Sequence, residues 1–373
     1  MANFRLTFAI AIAKLAGRTS RLLGNQGETL PGRVLLAIEP EAISLLAAKK
    51  EVILISGTNG KTSTTRAVAE IVGQLGPVAT STSGSNLSWG AANALMKEAP
   101  YAVLEIDELH LPTIIAQTDP AVVLLLNLTR DQLHRMHEVK RVADRWHVEC
   151  SEAVNTIFVA DIDDPFINYA TLNAQNVLRI SFGGRTHPDG AVCPKCGSYL
   201  EWSRGKYECS CGLSNKEFDI KFPNGSAAYR NAVLANMVGD VIGAEPIEFD
   251  IERLERSVTK EFNGKSAHVR LTKNPASWTE ALKAEILPEV ILVLNARQVD
   301  GIDTSWLWDV SFKALKGHRV LVTGERALDI AYRIHVEGIS SEIFETFGEA
   351  IAAVNSKDVS VLSAYTAFFE LVM

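Results

Sequence analysis

The chain has 373 residues, 47% of them apolar, enough for two or three globular domains with sizeable cores. A net charge of −7 argues against a nucleic-acid binder, and no apolar run approaches the roughly 18 residues that a membrane span needs. Four of the five cysteines fall in two close pairs, Cys193/Cys196 and Cys209/Cys211, a pattern of metal ligation in reducing surroundings rather than of a disulfide framework.

Residues 1–50 read as helices broken by a turn at Pro31-Gly32. Their short apolar run, residues 6–13, is ended by Lys14 and reads as a packed helix rather than a secretory leader. A weak membrane-surface contact is the sharper alternative, since Arg18 and Arg21 follow. "EVILIS" at 51–56 is a short β-rich apolar run of the kind buried in a parallel sheet. A Gly-rich loop and a helical stretch follow it. "YAVLEIDE" (101–108), "AVVLLLNLT" (121–129) and "TIFVADIDDP" (156–165) are further strands separated by helical segments, so a doubly wound α/β sheet is the natural class. Cys150, alone in "HVECSEAV", reads as a small buried hydrophobe.

Residues 188–212, dense in Gly, Pro and Cys, break the pattern and read as an insert. Helical character returns at 227–244, and a second α/β set has strands at 290–296, 318–324 and 359–364. The boundary is placed near residue 264, giving domains 1–263 and 264–373.

"ISGTNGKTSTT" (55–65) carries the loop chemistry. The common phosphate loop is G-x-x-x-x-G-K-[ST], but here the pattern is the shorter G-x-x-G-K-T of Gly57, Gly60, Lys61 and Thr62. The two glycines let backbone N–H groups turn toward an anion, and the helix beginning near Thr62 adds its positive end. Lys61 can reach outer phosphates and the Thr62 hydroxyl can ligate Mg²⁺. The ion also wants a strand-end carboxylate, for which Glu105 is the candidate; Asp107 and Glu108 read as solvated acids on a turn. In the insert, C-x₂-C followed after twelve residues by C-x-C is a zinc-ribbon pattern, with Gly197 and Gly212 freeing the backbone after each pair. Four thiolates leave no open position, so the expected zinc is structural.

"SGTNGKTSTT", "LEIDE", "NLTRDQ" and "DIDDP", in this order, resemble the Mur ligase superfamily, whose members join a carboxylate to an amine through an acyl phosphate. The four-Cys insert, the first residues "AKLAGRTSRLLGNQGETLPGRV", and the C-terminal "KNPAS" and "DGIDTSWLWDVSF" narrow the resemblance, over nearly the whole chain, to the MurT family within it. That resemblance implies a Mur ligase-type central domain with the zinc ribbon inserted, and a C-terminal Rossmann-like α/β domain. It implies ATP and Mg²⁺ as cofactors and lipid II as substrate. The D-glutamate α-carboxylate of the stem peptide would become D-isoglutamine, with ammonia from a GatD-type glutaminase partner, at the inner face of the cytoplasmic membrane. Residue by residue, it places Gly57, Thr58, Asn59, Gly60, Lys61, Thr62 and Ser63 on the nucleotide phosphates and Mg²⁺. Glu105 is a magnesium ligand, and Asn231 in "YRNAVLA" lies on the adenine side. Asp303 in "DGIDTSW" would orient the partner's histidine; a cap on the helix "TSWLWDV" is the alternative. Cys150 lacks the setting of a glutaminase nucleophile, so the chain needs a partner or free ammonia.

The chain departs from the family pattern at Ala228 and Arg230, at His134 and His137, and at Ser277. These changes touch the nucleotide and acyl-phosphate side. They support one rival function, a nucleotide-binding scaffold with weakened catalysis, against which Lys61, Thr62 and Glu105 speak; the other rival is an amino-acid ligase like folylpolyglutamate synthase, against which the four-Cys insert and "DGIDTSW" speak.

Overall fold

The computed structural model describes residues 2–22, 29–81, 86–131, 139–254, 257–297, 300 and 303–373. The chain forms two compact units, residues 1–129 with 138–249, and residues 130–137 with 250–373.

The first unit opens with helices α1 (Ala2–Leu22), α2 (Thr29–Ile38) and α3 (Ala42–Ala47). The expected turn at Pro31-Gly32 is instead the first turn of α2. Proline is tolerated there because its missing N–H has no helical partner to lose. Gly32 lets α2 approach the chain closely: a Cβ there would stand 1.8 Å from the carbonyl oxygen of Trp89.

A parallel sheet follows, its strands alternating with helices: β1 (Glu51–Ser56), α4 (Lys61–Val72), β2 (Val78–Ala79), α5 (Ser88–Leu95), β3 (Tyr101–Glu105), α6 (Leu111–Thr118), β4 (Val122–Leu125), α7 (Val139–Glu152), β5 (Ile157–Asp161), α8 (Pro165–Ala170) and β6 (Asn176–Ser181). The hairpin β7 (Glu201–Ser203) and β8 (Lys206–Glu208) belongs to the insert, after which come β9 (Ile220–Lys221) and α9 (Ala227–Ile242). The strand order is β2-β3-β1-β4-β5-β6-β9. β1 therefore lies between β3 and β4, where the strand order reverses, and the crevice for a ligand opens beyond the strands' carboxyl ends. The apolar runs of β1, β3, β4 and β5 are buried almost throughout, as a sheet covered on both faces requires. The strands expected at 101–108 and 121–129 stop at Glu105 and Leu125, and the rest of each segment is loop at the crevice. Cys150 is fully buried on α7, and burial pushes its thiol pKa up, which suits packing and not nucleophilic chemistry.

The second unit includes α10 (Ile251–Leu254), the antiparallel hairpin β10 (Ser257–Phe262) and β11 (Lys265–Leu271), then α11 (Pro275–Lys283), β12 (Glu289–Val293), β13 (Arg319–Thr323), α12 (Ala327–Val336), β14 (Ser341–Ile343), α13 (Phe347–Ala353), β15 (Asp358–Ser363) and α14 (Tyr365–Val372). Its sheet runs β10-β11-β15-β12-β13-β14. The unit begins at Asp250, ahead of the boundary expected near 264. Asn263-Gly264, where that boundary was expected, is the hairpin turn, both residues having positive φ of 50° and 73°. Along β12, Val290 and Leu292 enter one core with Trp278 and Phe312, while Ile291 and Val293 enter the other with Phe368 and Leu371. One strand thus feeds two apolar layers, the doubly covered arrangement expected of a Rossmann-like α/β unit.

Candidate active site

The loop between β1 and α4 is shaped by its glycines. Gly57 has φ 139° and Gly60 has φ 86°, conformations that L side chains rarely adopt. Space is as restrictive: a Cβ on Gly57 would come within 2.9 Å of the Asn127 backbone, and one on Gly60 within 2.1 Å of Asn231 Nδ2. The segment after β4 braces the loop. Asn127 O accepts from Thr58 N–H (2.8 Å), its Oδ1 accepts from Asn59 N–H (3.0 Å), and its Nδ2 donates to Asn59 O (2.9 Å). Thr58 Oγ1 donates to Thr129 O (3.2 Å) and accepts from Thr129 N–H (3.0 Å). Thr58 and Asn59, expected on the phosphates, thus direct their backbone N–H groups to Asn127. The positive end of α4, where Lys61, Thr62 and Ser63 form the first turn, points from the loop.

Lys61 Nζ donates to Gly57 O (2.6 Å) and to Glu108 Oε2 (3.0 Å). Glu108 is 3% exposed, not a solvated turn acid. Its own carbonyl accepts from Trp146 Nε1 on α7 (2.8 Å), which fixes the turn after β3 so that the carboxylate faces Lys61. Asp107, half-buried, accepts from Leu109 N–H (3.0 Å) and is the turn residue proper. Glu105 is buried at the tip of β3, opposite Ile55 of β1. Sequence reasoning missed Glu108, Asn127 and Thr129 as site residues; their place in the resemblance motifs was the one signal available.

Asn231 on α9 meets Gly60, so the structure brings this expected nucleotide residue to the loop. Its neighbours differ from the family pattern in ways the fold absorbs. Ala228 is buried in the helix, and Arg230 reaches the Gly225 carbonyl (2.5 Å). The three acids of "DIDDP" are buried and structural. Asp163 accepts from the N–H groups of Phe182 (2.7 Å) and Gly183 (2.6 Å). Asp164 caps α8 and accepts from Leu128 N–H (2.8 Å), tying the β5 end to the β4 end. Burial pushes Asp161 up to about 6, against the opposing pull of its Arg185 partner. His134 and His137 lie outside the described residues.

In the insert, the sulfurs of Cys193, Cys196, Cys209 and Cys211 all lie within 4.8 Å of one another, a group that could hold a metal ion. Each pair sits on a tight turn closed through its glycine: Gly197 N–H bonds Cys193 O (2.9 Å) and Gly212 N–H bonds Cys209 O (2.9 Å), with φ of 81° and 87°. Hydrogen bonds from Ser198 draw the exposed Cys196 thiol down to about 6, while burial pushes Cys193 up to about 12. Tyr207, behind the cluster, donates to the Ile162 carbonyl (3.0 Å) and anchors the insert to the β5 end.

In the second unit Asp303 is exposed and its Oδ1 accepts from Ser305 N–H (2.9 Å) at the start of a 3₁₀ turn, Ser305–Asp309. This is an i→i+2 turn bond made one residue ahead of the N-cap, Thr304, which makes no side-chain capping bond of its own. Ser277 replaces the family's usual glycine and completes a capping box with Asn274 at the start of α11.

Two family models match the chain: the Mur ligase middle domain over residues 55–237 and the MurT ligase C-terminal domain over residues 271–368. Among curated proteins, the chain is 26% identical to the MurT subunit of the glutamine-hydrolysing lipid II isoglutaminyl synthase of Staphylococcus aureus, covering 90% of this chain and 89% of that one. It is 27% identical to the corresponding Streptococcus pneumoniae subunit, covering 95% and 94%. Among solved structures, it superposes on a pseudomurein peptide ligase type C from Methanothermus fervidus with TM-score 0.63 at 17% identity, over 86% of this chain and 77% of that one. It superposes on MurF from Acinetobacter baumannii with TM-score 0.60 at 17% identity, over 92% and 79%. With both domain models in tandem and both MurT subunits aligned nearly end to end, the chain is similar to the MurT ligases of the Mur ligase family along almost its whole length.

Proposed function

We propose that this chain is the ligase subunit of a lipid II isoglutaminyl synthase, amidating the D-glutamate α-carboxylate of the stem peptide with ammonia from a GatD-type glutaminase. The observation that carries the reading is the phosphate loop, its Lys61 held between Gly57 O and a buried Glu108 and its Gly60 pressed on Asn231. ATP phosphates would be met by Gly57, Gly60 and the first turn of α4, with Asn231 on the adenine side.

The donor set suits a hard cation: the Thr62 hydroxyl with carboxylates at the β3 end. Glu105 is the expected ligand; Glu108, in contact with Lys61, is the second candidate. When bound, Mg²⁺ would neutralise charge on the phosphate oxygens. Incoming phosphate would compete with Glu108 for Lys61, which then stabilises charge developing as a substrate carboxylate oxygen attacks the γ-phosphorus and ADP leaves. Ammonia attacks the resulting acyl phosphate at its carbonyl carbon, phosphate departs, and loss of a proton leaves the amide.

The four cysteines would hold a structural zinc, since four thiolates close the coordination sphere. Partner docking is supported in the second unit. Leu328, Tyr332 and Val336, 72%, 63% and 53% exposed, line one side of α12, and Tyr332 packs edge-on against the exposed Trp308. Asp303 would orient the partner's histidine.

The test is purified chain with Mg-ATP, lipid II and ammonium chloride, read by mass spectrometry for the roughly one-dalton loss that turns an acid into an amide. Loss that disappears in Lys61→Ala supports the ligase. No change with nucleotide still bound, and none after adding a glutaminase partner and glutamine, favours a scaffold and sinks this reading.

A further inference from the structure

No step of the ligase chemistry uses α1. This helix contains Arg5, Lys14, Arg18 and Arg21 and no Asp or Glu, in a protein whose net charge is −7. Its inner face is made of Leu6, Ala9, Ala13, Gly17 and Ser20, all buried, and it packs against α2. Small residues let the two helices lie close and leave the large side chains outside.

Those side chains form a stripe. Phe4, Phe8, Ile12 and Leu15 are 80%, 53%, 36% and 60% exposed. At about 100° per residue they fall within about 80° of the helix surface. Lys14 and Arg18 lie on one flank of the stripe and Arg5 on the other. Arg5 is tied back to the Ile38 carbonyl (2.6 Å) and pairs with Glu39 (3.5 Å). A continuous row of four large apolar side chains is unusual on a protein surface, and the exposed cations Lys14 and Arg18 along one flank give it a preferred environment.

We propose that α1 is an interfacial helix that docks this protein on an anionic phospholipid bilayer, the stripe entering the headgroup–acyl boundary and Lys14 and Arg18 meeting the anionic headgroups. α1 itself carries cations and no acids. That complements a flat anionic surface, in which apolar burial and headgroup attraction add. The proposal rests on α1 alone and stands apart from the ligase reading.

The test is co-sedimentation of the full chain with vesicles of phosphatidylglycerol and phosphatidylcholine, and of phosphatidylcholine alone, at low and high salt. The vesicles hold no lipid II, so failure of the ligase reading leaves the result untouched. Binding to the anionic vesicles that weakens with salt is expected. The triple variant Phe4→Ser/Phe8→Ser/Leu15→Ser should bind ~10-fold less or worse. Lys14→Glu/Arg18→Glu should lose only the preference for anionic lipid. All five positions are exposed, so unchanged thermal melting of the variants serves as the folding control. Absence of sedimentation with either vesicle, or equal binding by the triple variant, overturns the proposal. So does a wild-type dimer in light scattering that the triple variant makes monomeric while neither binds lipid, which assigns the stripe to self-association.

Discussion

Lys61 Nζ stands 3.0 Å from the Glu108 carboxylate, and the two side chains are only 10% and 3% exposed. The pair lies at the sheet's switch point, one partner on the loop after β1 and the other on the turn after β3. A buried pair of this kind is costly to desolvate and more costly to break, because removing one partner strands the other's charge.

Lys61→Met should therefore lower stability by about 3–5 kcal/mol as well as abolish ATP turnover. Adding Glu108→Gln should return most of the stability and none of the turnover. Denaturant unfolding of the two variants measures this. A double variant no more stable than Lys61→Met would show that the two charges are not coupled.

Gly60→Ala should cost nucleotide binding more than fold. The new Cβ needs the 2.1 Å space now filled by Asn231 Nδ2, and φ of 86° adds strain of order 1–2 kcal/mol. Combining it with Asn231→Ala should remove the clash but not the strain, so binding of a fluorescent ATP analogue should stay weak. Full recovery in the double variant would mean that backbone conformation at Gly60 does not matter.

Much of this was legible before the fold was known. The runs that became β1, β3, β4 and β5 are apolar because both faces are covered, which is also what makes such strands readable. β10, at the sheet edge, and β11 beside it are only partly buried, so neither carries the continuous apolar run that marks the inner strands, and the domain boundary was expected at the turn between them. The glycines, Lys61 and the cysteines announce themselves by spacing. Glu108 does not: whether an acid three residues past Glu105 meets water or Lys61 depends on the turn that Trp146, distant in sequence, holds in place. Asn127 and Thr129 brace the loop from about 70 residues away in sequence, through the Asn127 amide and the Thr58 hydroxyl as well as backbone groups, a pairing that only the fold makes.

One zinc per chain is expected by atomic absorption, and chelation should lower the melting temperature. Cys193→Ser or Cys209→Ser, both buried, should lose the metal, whereas Cys150→Ser should keep it. Metal retained in full by either buried-ligand variant would sink the four-thiolate site.

Acid should loosen the second unit through Glu289. Burial raises its pKa, but this is outweighed by the Ser356 hydroxyl, the N–H groups of Ser356 and Asn355, and Arg319, which together hold it at about 2. The folded pKa lies below the ordinary value of 4.5, so the stabilisation is complete above that value and is lost as pH falls toward 2. Glu289→Gln should flatten the pH dependence of unfolding across that window. An unaltered profile would mean that other carboxylates carry the acid sensitivity.

Asp303 offers a separable test of its two roles. As a turn residue, its Oδ1 accepts from Ser305 N–H at 2.9 Å, and an asparagine oxygen can accept the same bond. As an orienting group for a partner's histidine, it must carry charge, which asparagine lacks. Asp303→Asn should therefore melt like the wild type and make amide from ammonium chloride at the wild-type rate. With a glutaminase partner and glutamine, its rate should fall ~100-fold or more, since the loss of such a carboxylate reaches ~10⁴ elsewhere. Equal rates from both nitrogen sources would leave Asp303 as a turn residue alone, and a loss from both would place its effect in the ligase chain itself.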